Sequence, residues 1–245
     1  MLQALREFFW AAGPVAAGGE ESFLQGIKEF FWAGGFFMGV NAVASVIALA
    51  IIVERVVVLG FRLNVDAGRF MDQVQKLVMT GNLDRAIKLC GAAPSAALSR
   101  VVRAGLGRAN RGEQEVAKSL EEAVLEVTPL ISRRIASLWS IANIATLLGL
   151  IGTITGLIRT FKSLGAVSAD QKQILLSNGI SEAMNNTAFG LAIAVTCIVA
   201  HLMLTSKSKS MIEEIEFNAL RLENMLARRS GGESGALGDS DVRGA

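Results

Sequence analysis

The stretch IASLWSIANIATLLGLIGTITGLI (residues 135–158) carries no charge. It exceeds the roughly 20 residues that an α-helix needs to cross a hydrocarbon layer about 30 Å thick. Two more windows behave alike: AGGFFMGVNAVASVIALAIIV (residues 33–53), and residues 183–206, which contain no Asp, Glu, Lys or Arg. The chain of 245 residues is 51% hydrophobic and 19% charged, with a mean hydropathy of +0.45. A core helix of a soluble bundle is the competing reading for any one window. Three together point to an all-α integral membrane protein with three transmembrane helices, long helices extending into the cytoplasm and a cytoplasmic helical domain.

The net charge of +2 conceals an asymmetry that predicts orientation. Between the first two windows lie Arg62, Arg69, Lys76, Arg85, Lys88, Arg100, Arg103, Arg108, Arg111, Lys118, Arg133 and Arg134. Before the first window, Arg6 and Lys28 face Glu7, Glu20, Glu21 and Glu29. Basic loops stay inside, so residues 60–134 are expected in the cytoplasm and the N-terminus outside. The run at residues 8–17 is short and follows Arg6 and Glu7, which makes a poor cleavable signal; the first span is expected to direct its own insertion.

These patterns divide the chain. Residues 1–33 hold an aromatic near-repeat, LREFFWAAG (5–13) and IKEFFWAGG (27–35), suited to a membrane interface. Spans follow at 34–59, 135–160 and 182–206, with 161–181 as a short outer connection and the start of the third helix. In the cytoplasmic region 60–134, Phe70, Val74, Leu77 and Val78 share one helical face, and Gly81-Asn82 and CGAAPS punctuate several helices without a sheet. Ile212, Ile215, Ala219, Leu222 and Leu226 recur at spacings of three and four, which predicts a cytoplasmic helix over 207–229 packed along one seam. Residues 230–245 have the composition of a disordered tail.

Candidate chemistry concentrates in the second and third spans. Thr146, Thr153 and Thr160 are seven residues apart, almost two full turns, and form one polar stripe. Gly149, Gly152 and Gly156 form a flat stripe that lets another helix approach closely. A lone threonine in a membrane helix commonly bonds its own i−4 carbonyl, but three in register favour a polar lining. Glu182, with Asn186 one turn later, heads the third span. A carboxylate at membrane depth costs about 2.5–3.5 kcal/mol on insertion scales and belongs in a cavity or protein interior; the alternative is that Glu182 sits outside the hydrocarbon.

Other features carry less. One histidine and two distant cysteines, Cys90 and Cys197, make a metal site or a disulfide unexpected. GLIGTITG lacks the lysine-hydroxyl ending of a phosphate loop. The basic run at 100–111 has no recognition motif, and the interleaved glutamates of RGEQEVAKSLEEA (111–123) argue for a solvated helical face beside phospholipid headgroups rather than for nucleic acid. His201 reads as an interfacial or helix-packing residue, and Glu54-Arg55 as a boundary pair with Arg55 snorkelling to headgroups. No cofactor and no enzymatic constellation is expected.

LLGLIGTITGLIRTF (147–161) and GISEAMNNTAFGL (179–191), supported by SVIALAIIVERVVVL (45–59) and GNLDRAIKLC (81–90), resemble the MotA/TolQ/ExbB proton-channel proteins. The likeness is closest to the ExbB and TolQ branch, a gliding-motor relative remaining open, and spans roughly residues 34–204. It implies a homopentamer in a bacterial inner membrane around two copies of a single-span ExbD/TolR-like partner, whose membrane aspartate carries the proton. By motif, Thr153, Glu182 and Thr187 take the polar pore-lining positions. Val40, Thr146 and Thr196 stand where the family commonly has proline, and Asn185 and Asn186 are more polar than usual. The expected function is that of a proton-conducting stator subunit, driven by the proton-motive force and energising outer-membrane transport, envelope integrity or gliding. A non-conducting scaffold would tolerate loss of Glu182, and a small solute transporter would need inverted repeats or broken spans.

Overall fold

A computed structural model describes residues 35–63, 66–93, 96–166 and 168–242. The expected N-terminal segment 1–33, with most of its near-repeat, lies outside them. The described elements are helices: α1 (Gly35–Val57), α2 (Ala67–Met79), α3 (Leu83–Ala92), α4 (Ala97–Gly107), α5 (Glu113–Ser132), α6 (Ile135–Ser163) and α7 (Ala169–Val242). A π-helical turn, Val58–Arg62, follows α1, and a 3-10 turn, Leu164–Ala166, precedes α7. No strand occurs among the described residues.

Among the described residues, three stretches are long and apolar enough to cross a membrane, Phe36–Gly60, Glu113–Ser163 and Asp170–Arg228. Their large apolar side chains point outward: Val46, Leu49, Ile154 and Leu202 are all more than half exposed. A water-soluble helix would hide that surface, whereas lipid accepts it. This is an all-α membrane protein of the multi-pass kind.

Two compact units emerge. The first draws on α1 as far as Ala50 and on Ser137–Ala200 of α6 and α7. Its small apolar core joins Ala48, Ala142, Ala145, Ile193, Ala194 and Cys197. Alanines dominate it because helices at membrane depth gain by close approach rather than by hiding large side chains from water.

The second unit draws on Ile51–Ala136 and the described residues from His201 onward. Asp66 caps α2 by accepting from Arg69 N at 3.2 Å, and Gly81 (φ 78°) and Gly112 (φ 103°) supply left-handed turns between helices. The predicted face of α2 is inside: Val74 and Val78 are buried, Phe70 nearly so, and Leu77 is partly covered. The seam on α7 closes the same core, with Ile215, Ala219, Leu222 and Leu226 buried and Ile212 partly so. Gly105 of α4 admits both neighbours, since a Cβ there would stand 2.6 Å from Leu120 and 3.4 Å from Leu222.

α7 is helical to Val242. No proline follows Pro129, and a helix already nucleated adds residues cooperatively. Arg55 is 4% exposed and does not reach for headgroups. It pairs with Glu54 at 3.0 Å and donates to Leu130 O, one of the carbonyls left open at the end of α5. Glu54 also accepts from Arg134 at 2.5 Å. His201 lies 3.0 Å from Ile135 O and serves helix packing.

Candidate functional site

The glycine stripe of α6 lies directly on α7. A Cβ on Gly149 would meet Asn186 O at 3.1 Å and Thr187 Cα at 3.3 Å. On Gly152 it would meet the Asn186 side chain at 2.5 Å, and on Gly156 the Ala183 Cβ at 3.4 Å. All three glycines therefore face one helix, and the close approach they allow brings backbone and short polar side chains together.

Thr153 sits inside that contact rather than on a separate wet face. Its hydroxyl reaches Gly149 O and Ala183 O, each at 3.1 Å, and the hydroxyl of Thr187. Thr187 in turn points to Gly149 O at 3.4 Å. Each hydroxyl has one proton and accepts as well as donates, so two hydroxyls and two carbonyls have more than one bonding arrangement. Exchange between arrangements reverses the direction of the donor chain without moving either helix. That is the chemistry of a proton relay and of a reorienting polar contact alike.

Thr146 and Thr160 do not join this pair. Thr146 bonds Ala142 O at 3.0 Å and Thr160 bonds Gly156 O at 2.9 Å, both the i−4 carbonyls of their own helix. Thr160 is also 9% exposed and packs on Gly179, where a Cβ would collide with it. All three threonines thus bond the i−4 carbonyl of their own helix, and Thr153 in addition bonds across to α7.

Glu182 is half-buried and lines a small, partly open cleft with Phe36, Phe37, Gly152, Thr155, Gly156, Arg159, Ala183 and Asn186. Among the described residues Arg159 and Glu182 share the cleft without forming an ion pair. Asn186, 4% exposed, connects the two regions: it touches Gly152 at the seam and also lines the cleft. No cluster of three or more His, Cys, Asp or Glu residues suited to a metal ion occurs among the described residues.

Three contributors escaped the sequence reading. Thr155 and Arg159 lie on the face of α6 toward the cleft, and only the position of α7 reveals it. Asn41 of α1 is 0% exposed and donates from Nδ2 to Ala145 O at 3.3 Å. Its signal was available, a lone amide within an uncharged window, but an asparagine in a span does not announce its partner.

Residues 94–217, half of the chain, match the MotA/TolQ/ExbB proton channel family. Similar proteins include a putative biopolymer transport protein ExbB homolog of Methanothermobacter thermautotrophicus, 30% identical over 49% of this chain and 42% of its own length. The putative biopolymer transport protein ExbB-like 3 of Synechocystis is 30% identical over 63% of this chain and 73% of its own. The biopolymer transport protein exbB1 of Vibrio cholerae is 36% identical over 31% and 33%. The chain thus spans less than half of the first and third of these relatives and most of the second. The family match contains α6, the α6–α7 seam and Glu182, so this chain, ExbB-like in its relatives, belongs to the MotA/TolQ/ExbB proton channel family.

Proposed function

We propose that this chain is the proton-conducting subunit of a membrane motor driven by the proton gradient, working in biopolymer transport as its relatives' names indicate. One observation carries the reading: the Thr153 and Thr187 hydroxyls meet across two membrane helices on a shared carbonyl, beside a cleft holding Glu182. Glu182 gathers protons at the cleft, and the hydroxyl pair passes them toward a carboxylate on a partner helix. No covalent chemistry is involved, so the chain is not an enzyme. Five copies around two single-span partners, an inner-membrane location and an outside N-terminus complete the proposal. The first rests on family resemblance and the last on the distribution of basic residues.

Proton uptake by vesicles holding the chain with its partner tests it. Glu182→Gln keeps the shape and removes the titratable group, and Thr153→Val and Thr187→Val remove hydroxyls at nearly constant volume. Uptake should be largely lost in the first and lowered in the others, with complex yield unchanged. Full uptake by Glu182→Gln would leave a non-conducting scaffold as the better account.

A further inference from the structure

One polar group in the membrane-spanning unit has no part in that path. Asn41 is fully buried, and while its Nδ2 donates to Ala145 O, its Oδ1 has no hydrogen-bond partner among the described residues. A leucine of similar volume would leave no acceptor unsatisfied, so packing alone does not account for an amide here.

The surroundings show what the amide governs. A Cβ on Gly190 would stand 2.6 Å from Ala145 O, 3.2 Å from Gly149 Cα and 3.3 Å from Asn41 Nδ2. Helices α1, α6 and α7 therefore converge on Asn41, Ala145, Gly149 and Gly190. The hydroxyl pair hangs from one of these residues. Gly149 O takes both Thr153 and Thr187, and Thr187 lies one turn from Gly190.

We propose that Asn41 is a positioning residue for the Thr153–Thr187 pair. Its amide ties α1 to a fixed carbonyl of α6 and so holds the crossing of α6 and α7 one turn away from the two hydroxyls. An apolar side chain can fill the volume but offers no directional bond. The helices can then slip by a fraction of an ångström, and a hydroxyl contact weakens steeply when its geometry is lost. The consequence for proton flow rests on the function proposed above; the positioning does not.

Two measurements on the full-length chain test it. With Cys90 and Cys197 replaced by alanine, Thr153→Cys and Thr187→Cys together should cross-link under oxidation in membranes. Adding Asn41→Leu should slow this at least about threefold with chain yield unchanged. In the otherwise native chain, Asn41→Leu should lower proton uptake, and Asn41→Leu with Thr153→Val should be no worse than Thr153→Val alone, because both act through one pair. Equal cross-linking rates with and without Asn41 overturn the proposal, as do additive losses of uptake. Asn41→Ala, which removes the amide without adding bulk, is read the same way if the leucine variant fails to accumulate. If the native chain takes up no protons while cross-linking still depends on Asn41, the channel reading fails and the positioning stands.

Discussion

Replacing Gly190 and Gly156 by alanine separates contact that the fold requires from contact it merely permits. At Gly190 the new methyl would lie 2.6 Å from Ala145 O and 3.2 Å from Gly149 Cα, and both obstacles are backbone that no rotamer change can move. Helix α6 must shift away from α7. Overpacking of this kind costs about 1–3 kcal/mol, less up to about 1 kcal/mol gained from alanine's helix propensity. At Gly156 the nearest atom is Ala183 Cβ at 3.4 Å, an ordinary contact, so only the propensity gain remains. Thermal unfolding of the purified protein should therefore fall by several degrees for Gly190→Ala, at about 2–4 °C per kcal/mol for a chain of this size. For Gly156→Ala it should hold or rise. Equal losses at the two sites would show that α6 and α7 do not cross as described.

The core of the second unit offers a parallel contrast: Leu222→Ala, at a fully buried side chain, should cost about 2–5 kcal/mol, and Leu220→Ala, 60% exposed, within about 0.5 kcal/mol of nothing, by denaturant unfolding. Burial pushes the Cys90 thiol from its ordinary value of 9.0 up to about 11. Maleimide labelling in the folded protein should thus be slow at pH 7.5 and climb toward pH 11. Because the folded state holds this proton longer than the unfolded one, stability should fall as pH rises through that window. Topology is tested by cysteines at Lys118 and Ser168, both exposed, in a chain otherwise free of cysteine. An impermeant reagent outside intact cells should reach position 168 and not 118, and the reverse pattern would invert the orientation. Ser119 is unsuitable for such labelling, being buried with its hydroxyl on Ala104 O.

The spans were legible because hydrophobicity is a property of a window, and the helices of the 60–134 region because their periodicity is local. Gly149, Gly152 and Gly156 were legible as a packing face for the same reason: small residues at helical spacing need a neighbour. What periodicity could not say is which neighbour. Seven-residue spacing aligned Thr146, Thr153 and Thr160 on one helix, but a hydroxyl's role depends on what crosses at its own height. Only Thr153 meets another hydroxyl, while Thr146 and Thr160 face carbonyls of their own turns. Glu182 stood out as the acidic residue at the head of a span, and it lines the cleft. Its companions come from two other helices, Phe36 from α1 and Thr155 and Arg159 from α6, and share no pattern with it.

The joint between α5 and α6 carries that argument furthest. Arg134 adopts φ 59°, a left-handed conformation that costs a side-chain-bearing residue roughly 1–2 kcal/mol, and nothing in Ser132 to Ile135 marks it as a break. The restraint is remote in sequence. Glu54 holds the Arg134 guanidinium, and Arg55 satisfies the open Leu130 carbonyl at the end of α5. Arg55, almost wholly buried, is itself tolerable only because Glu54 lies against it, since a buried charge stripped of its partner is far costlier than the pair. Two adjacent residues at the end of α1 thus stabilise a strained turn some eighty positions later. A charged pair beside a span reads as a membrane boundary when only its neighbours in sequence are considered, and as a structural clamp once the helix end it closes is known.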